Sequence, residues 1–109
     1  MTTLSGFRIM WMLVMFDLPV LTKAERKAAN DFRNYLLGQG FERAQLSVYM
    51  RFCSGKEQTK SYVRKIKAHI PKGGLVDILM FTDKQYENII TFHAAEIQPR
   101  KMDDQLALF

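Results

Sequence analysis

An unbroken apolar segment near the start of the sequence limits the fold of this chain more than any other feature. Eight apolar residues, Ile9–Phe16, stop abruptly at Asp17-Leu18-Pro19. A run of this length next to a turn signal is typical of a central β-strand covered on both faces. Pro19 has no N–H to donate and disfavours helical geometry at Leu18, so we expect the strand to end here. Asp17 then places a carboxylate at the carboxyl end of the strand, where open α/β sheets tend to have their functional sites.

Charge and cysteine content indicate the kind of partner and the compartment of this protein. The 109 residues are enough for one domain with one core. Sixteen Lys+Arg against eleven Asp+Glu give a net charge of +5, which favours association with a polyanion. The single cysteine, Cys53, has no partner for an intramolecular disulfide, so a reducing cytoplasm is expected. The apolar run is too short for a transmembrane helix of ~20 residues, and we expect no membrane partner.

Capping and periodicity signals predict a first helix after this strand. Thr22 and Glu25 have the spacing of a capping box, so we expect the helix to begin at Thr22. Gly38 or Gly40 is expected to end it. One side of this helix is apolar, and its members are Ala28, Ala29, Phe32, Tyr35 and Leu36.

The middle of the sequence changes to a period of two. Residues 41–53 are typical of one bent strand, or of two strands joined tightly around residues 44–46. One alternating set, typical of a strand with one covered face, consists of Leu46, Val48, Met50 and Phe52. A second helix is predicted from Ser54 to about Ile70, followed by a strand over residues 75–81. Thr82 and Gln85 repeat the capping-box spacing before a short helical turn.

The predicted order, β-α-β-β-α-β, is the ferredoxin-like pattern of an α+β fold. Its antiparallel sheet carries both helices on one face, so the other face needs a cover. We predict this domain over residues 1–95 and a C-terminal arm over residues 96–109. The segment Leu106-Ala107-Leu108-Phe109 is too apolar for a solvated tail. We interpret it as part of an arm that adds a short strand to the sheet edge of a neighbouring subunit.

An ordered set of motifs resembles a known family. Phe16-Asp17-Leu18-Pro19 closes the first strand, Phe32-Arg33-Asn34-Tyr35-Leu36-Leu37 lies on the first helix, and residues 40–49 lead into the hairpin. With Thr82-Asp83-Lys84-Gln85 and an apolar last strand, they resemble the small CRISPR-associated adaptation proteins of the Cas-two family, in the form that accompanies Cas-nine systems. The resemblance runs over nearly the whole chain.

This resemblance implies a ferredoxin-like homodimer whose sheets pack face to face, which would cover the free face. It implies an adaptation (spacer acquisition) subunit that binds duplex DNA and bridges dimers of the Cas-one integrase. It also implies an endonuclease activity on RNA or DNA that depends on Mg²⁺ or another divalent metal. The family's proposed metal ligand is the aspartate that closes the first strand, and it corresponds to Asp17.

Asp17 therefore has two interpretations. Mg²⁺ usually takes one or two carboxylates and several waters, so one aspartate per chain supplies only the minimum number of protein ligands. Two copies of Asp17 near a dimer axis could hold one ion together, which would make Asp17 both metal ligand and catalytic residue. Alternatively, Asp17 is a turn residue that caps free N–H groups before the first helix. A second strand acid, Asp77, either faces the core with a basic partner or lies near the dimer edge.

Cationic side chains on the first helix are the candidate nucleic-acid contacts. A solvated charged face is the usual explanation for such a stripe. The alternative is contact with a phosphate backbone without base reading. We expect the acids Glu25 and Asp31 to lie off the stripe, which favours this alternative. The candidates are Lys23, Arg26, Lys27, Asn30 and Arg33.

Three functions follow for comparison. The first is a scaffold that holds duplex DNA between integrase dimers and does not need Asp17. The second is a metal-dependent nuclease that requires Asp17. The third is a toxin-like metal-dependent ribonuclease with no role in adaptation. We rank the adaptation role first, with hydrolysis as a second property of the same chain.

Overall fold

A computed structural model of the chain describes residues 10–94. Within this range the sheet is antiparallel and has the strand order β2-β3-β1-β4, so β1 lies in its interior. This arrangement confirms the predicted α+β, ferredoxin-like order of elements. The elements are β1 (Met10–Asp17), α1 (Lys23–Gly38), β2 (Glu42–Gln45), β3 (Val48–Cys53), α2 (Lys56–Lys67), β4 (Leu75–Thr82) and α3 (Asp83–Glu87).

Both predicted capping boxes are present. Thr22 Oγ1 accepts a hydrogen bond from the Glu25 N–H over 3.0 Å, and Glu25 Oε1 accepts one from the Thr22 N–H over 2.9 Å. Thr82 and Gln85 make the same pair of bonds at the start of α3, over 3.1 and 2.9 Å. These local bonds satisfy N–H groups that have no partner within the helix, which is why the helices begin where the sequence predicts.

The second helix is shorter than predicted. α2 ends at Lys67 instead of near Ile70. The N–H of His69 bonds to the Ile66 carbonyl over 2.9 Å, a tighter turn than that of an α-helix. Pro71 follows and disfavours helical geometry at Ile70, so the helix cannot continue.

The hydrophobic core lies between the sheet and the helices. Alternate residues of β1, namely Met12, Val14 and Phe16, are buried. The ring of Phe16 meets that of Phe32 edge to face, with centroids 5.2 Å apart. Three members of the predicted apolar side of α1 are buried here, and the α1 and α2 residues of the core are Ala29, Phe32, Leu36 and Ile66.

The structure describes the cover of one face of the sheet. The helices cover one face of β1, Met15 on its second face is 39% exposed within residues 10–94, and cover of that face stays a prediction. Residues 42–53 form two strands, and the β3 residues beneath the helices are Tyr49 and Cys53. The alternating set that contains Val48 lies on the other side. Because the helical layer covers one face only, several apolar residues of the second face are exposed in the part of the chain that the structure describes.

We call this second surface the open face. Trp11 at one end is covered by α3, because its indole N–H donates to Asp83 Oδ1 over 2.9 Å and its ring stacks on Tyr86 at 3.9 Å. The end at Asp17 has no such cover among residues 10–94. The apolar members of the open face are Trp11, Leu13, Met15, Val48, Met50, Phe52, Leu75, Leu79 and Phe81.

Two further predictions concern residues outside the described range. The arm over residues 96–109 lies wholly outside them, and so does Ile9 of the apolar run. Among the helices between residues 10 and 94, none is both long and apolar enough to cross a membrane.

Candidate functional site

Asp17 is the last residue of β1, as predicted. It pairs with Leu75 of β4, and its neighbour Phe16 donates its N–H to the Ser47 carbonyl over 3.1 Å. Side chains alternate along a strand, so the burial of Phe16 beneath the helices places Asp17 on the open face. Its carboxylate is exposed there, at the end that α3 does not cover.

A second carboxylate shares this end of the sheet. Asp77 of β4 pairs with Met15, while Asp17 pairs with Leu75, so the two aspartates are diagonal neighbours on one face. Both line one cavity of about 280 Å³. Asp77 is exposed on the open face, so the alternative that it faces the core is wrong, and its place near a dimer edge stays a prediction. The signal in the sequence was one acid inside an otherwise apolar strand.

The helix start before α1 does not use Asp17. Glu25 Oε1 accepts hydrogen bonds from the N–H groups of Leu21 and Thr22, each over 2.9 Å. The remaining cap is the Thr22 hydroxyl described above. The capping interpretation of Asp17 therefore has no support among residues 10–94, because Thr22 and Glu25 perform that function.

The donor set at this cavity suits a hard divalent cation. Asp17 and Asp77 offer carboxylate oxygens, and Ser47 also lines the cavity. Oxygen ligands and room for water are what Mg²⁺ requires, and it usually takes one or two carboxylates. Residues 10–94 of one chain contain no cluster of three or more His, Cys, Asp or Glu side chains that could hold a metal. The chemistry of these two carboxylates is thus compatible with Mg²⁺ and several waters.

The predicted cationic stripe is partly occupied by contacts within the chain. Arg26 Nη1 donates to the carbonyls of Val20 and Leu21 over 3.1 and 3.0 Å. Lys27 forms an ion pair with Asp31, with Nζ and Oδ2 2.9 Å apart. The expectation that Asp31 lies off the stripe is therefore wrong, because one helical turn brings it beside Lys27.

The remaining members of the stripe are also on α1. Arg33 Nη1 donates to Asn30 Oδ1 over 3.4 Å, and its guanidinium carbon lies 5.8 Å from the centre of the Phe16 ring. Lys23 is exposed in the first turn. α1 packs on the face of the sheet opposite the open face, which we call the covered face. Because Asp17 lies on the open face, the structure does not bring these cations to Asp17. Any nucleic acid on α1 would meet a surface separate from the carboxylate cavity.

Comparison with known proteins identifies the family. The model of the family described as CRISPR associated protein Cas2 matches residues 10–89. The chain belongs to the Cas2 family. A "CRISPR-associated endoribonuclease Cas2" of Paracidovorax avenae is 55% identical over 107 residues, covering 97% of this chain and 99% of that protein. A protein of the same name from Flavobacterium psychrophilum is 38% identical and covers 99% of this chain and 95% of its own length.

A solved Cas2 structure shares the fold. The crystal structure of Streptococcus pyogenes Cas2 at pH 6.5 matches with a TM-score of 0.57 and 19% identity, covering 76% of this chain and 99% of that one. The resemblance to the Cas2 family predicted from the sequence is confirmed by the family-model match and by the two relatives. Asp17, Asp77 and their shared cavity lie within the part of the chain that the Cas2 family model matches.

Proposed function

We propose that this Cas2 chain acts as a homodimer in which two open faces pack together. The support is an apolar surface that residues 10–94 leave exposed, including Met15, Phe52 and Leu79. Contiguous apolar patches of this kind mark protein interfaces. A second copy related by a two-fold axis would place the same patch against itself. The unbroken apolar run of β1 then has a function on both of its faces.

Within that dimer, we propose a magnesium-dependent endonuclease. The single observation that carries this proposal is the cavity that Asp17 and Asp77 line on the face to be covered. Asp17 would hold the ion together with its symmetry copy, and Asp77 would add a second carboxylate from each chain. A bound Mg²⁺ would polarise a phosphate oxygen and lower the pKa of an attacking water. Met15, Val48 and Leu75 would limit the access of bulk water, which strengthens the attraction between charges.

RNA is the proposed substrate. The relatives in Paracidovorax avenae and Flavobacterium psychrophilum are named endoribonucleases, and the identity to the first is 55% over nearly the whole chain. Hydrolysis adds water across one P–O bond of the backbone and needs no contact with a base. A reducing cytoplasm, where Cys53 would stay a free thiol, is the proposed compartment.

The test is cleavage of labelled RNA and of duplex DNA. Wild type and Asp17→Asn should be compared with magnesium and with a chelator, because asparagine keeps the shape but removes the charge. We expect magnesium-dependent RNA cleavage that Asp17→Asn abolishes. Glu57→Gln, which removes an exposed acid on α2, is the matched control and should cleave like wild type. Cleavage that survives in Asp17→Asn would refute the metal site.

A second candidate function is the adaptation role, in which the dimer binds duplex DNA and bridges Cas-one integrase dimers. The cationic charge of α1 and α2 supports it. Both helices lie on the covered face, so they would stay accessible after two open faces had met. α2 alone carries Lys56, Lys60, Arg64, Lys65 and Lys67 against Glu57.

Duplex binding at several salt concentrations tests this role. Replacement of Arg26 and Lys27 by alanine should weaken binding and reduce the slope of log K against log salt by up to about two, because each phosphate contact releases a counterion. Asp31→Ala, which frees Lys27 from its ion pair, should strengthen binding slightly. Unchanged affinity in the double variant would exclude α1 as the duplex contact, whatever the outcome of the cleavage test.

A further inference from the structure

A half-buried arginine on the covered face has no acidic partner among residues 10–94. Arg51 belongs to β3, where side chains alternate, so it lies on the same side of the sheet as the buried residues Tyr49 and Cys53. Its Nε is buried and has no hydrogen-bond partner in the described part of the chain. The ion pair found there is on α1 and does not involve this side chain. A buried donor of this kind calls for a partner such as an ion or a water.

A tyrosine ring fixes the position of this guanidinium. The guanidinium carbon of Arg51 lies 4.7 Å from the centre of the Tyr62 ring of α2. The ring of Phe41 meets the Tyr62 ring edge to face, with centroids 5.6 Å apart. The cation–π contact and this packing hold the guanidinium in one place, so it loses little freedom when it binds a ligand.

A glycine leaves the space that the guanidinium occupies. Gly40 follows the end of α1 and has a φ of +90°, a conformation that residues with a side chain rarely adopt. A Cβ at this position would collide with Nη1 of Arg51. Gly40 itself is exposed, so this end of the guanidinium lies near the surface. A small anion can therefore approach Nη1 from solvent.

A second cation lies beside the same ring. Nζ of Lys65 is 5.3 Å from the centre of the Tyr62 ring, and the side chain is exposed. Lysine carries its charge on a flexible stem, so Lys65 can turn toward an anion held by Arg51. Two cations around one ring repel each other, and an anion bound to both removes this repulsion.

We propose that Arg51 and Lys65 bind a phosphate group beside Tyr62, at a position that we call the Arg51 site. A planar guanidinium donates paired hydrogen bonds to phosphate oxygens, and the lysine adds a second charge. Free phosphate and the phosphate of a nucleic-acid backbone present the same oxygens to these donors. The site is on the covered face, so it would stay accessible after two open faces had met. It does not depend on Asp17, on metal binding or on cleavage.

Titration of the full-length chain with inorganic phosphate tests the site directly. A buried Nε–H exchanges slowly with water, so Arg51 should give a nitrogen–proton NMR signal that exposed guanidinium groups lack. Arg51→Gln identifies this signal by removing it. We expect phosphate, added at constant ionic strength against sodium chloride, to shift the signal and to saturate.

Three variants measure the contribution of the guanidinium, with the backbone amide signal of Gly40 as the readout common to all. Arg51→Gln should weaken phosphate binding by about tenfold. Arg51→Lys keeps the charge but lacks the planar fork, so its affinity should lie between those of wild type and Arg51→Gln. Arg64→Gln is the matched control, because Arg64 is exposed on α2 and is not one of the two cations over Tyr62. It should bind phosphate like wild type.

Duplex DNA without terminal phosphates distinguishes the two sources of the ligand. A saturable response to inorganic phosphate would indicate a site for free phosphate. A response to the duplex alone, with the slope of log K against log salt reduced by about one in Arg51→Gln, would indicate the backbone. Both results support the proposal.

An Arg51 signal that neither probe shifts would overturn the proposal, and so would equal weakening by Arg51→Gln and Arg64→Gln. Loss of stability in Arg51→Gln with unchanged binding of both probes would also overturn it, because Arg51 would then serve only the packing of Tyr62. None of these results bears on the metal-site proposal.

Discussion

Asp17 and Asp77 are diagonal neighbours on adjacent antiparallel strands, and both line one cavity on the open face. Each lies beside apolar residues, with Met15 and Leu75 as their strand partners. Two acids on one apolar patch are costly to cover unless a cation or a proton compensates their charge. In the proposed dimer, a cation held by both carboxylates would offset this cost.

Asp77→Asn should weaken the use of magnesium without abolishing it. If Asp77 adds a ligand to an ion held mainly by Asp17, we expect the magnesium concentration for half-maximal cleavage to rise by about tenfold or more. The measurement is RNA cleavage against magnesium concentration, with Glu57→Gln as the control for loss of one surface charge. A magnesium dependence identical to that of wild type would remove Asp77 from the site.

Leu79→Glu should disrupt the proposed dimer. Leu79 is 45% exposed on the open face, and burial of an unpaired carboxylate there would weaken association by about 100-fold or more. Leu37→Glu is the matched control, because Leu37 is 49% exposed on α1, on the other side of the sheet. Sedimentation velocity over a range of concentrations measures the effect. Equal dissociation of both variants would argue against the open face as the interface.

Asp83→Ala should destabilise the chain. The side chain of Asp83 accepts the indole N–H of Trp11 over 2.9 Å, and this bond fastens α3 to the open face. Its loss should lower the free energy of unfolding by about 1 kcal/mol. Urea unfolding followed by the fluorescence of Trp11, the one tryptophan of the sequence, measures this change. Asp83→Asn keeps an acceptor oxygen and should lose less, so equal losses would contradict the role of this bond.

Cys53 should make stability depend on pH in the alkaline range. Burial raises the pKa of its thiol above the ordinary value of 9.0, although the positive charge of Arg51 partly opposes this shift. The unfolded chain then loses the thiol proton first. The stability contribution is complete below the pKa of the unfolded thiol and is lost as the pH rises through the folded pKa.

Wild type should therefore lose more stability than Cys53→Ala between about pH 8 and pH 10. The alanine variant lacks the titrating group, and its loss of packing is the same at every pH. Urea unfolding at several pH values gives the two curves. Parallel curves would show that the thiol does not contribute.

Much of the fold could be predicted because its signals are local. The capping residues Thr22 and Thr82 bond to N–H groups three positions away, so spacing alone located both helix starts. Pro19 ended β1 at Asp17 for an equally local reason. By contrast, the covered side of β3 depends on which strand lies beside it, and the alternating pattern was compatible with either face.

Some features of the candidate site could likewise be predicted from the sequence, and others could not. The sequence by itself determined the element order, the position of Asp17 at a strand end and the excess of positive charge, because each follows from residue type and near neighbours. Only the tertiary structure placed Asp77 in the cavity of Asp17 and opened a groove between α2 and β4. Those relationships depend on strand register and on side chains that meet in space, which periodicity does not encode.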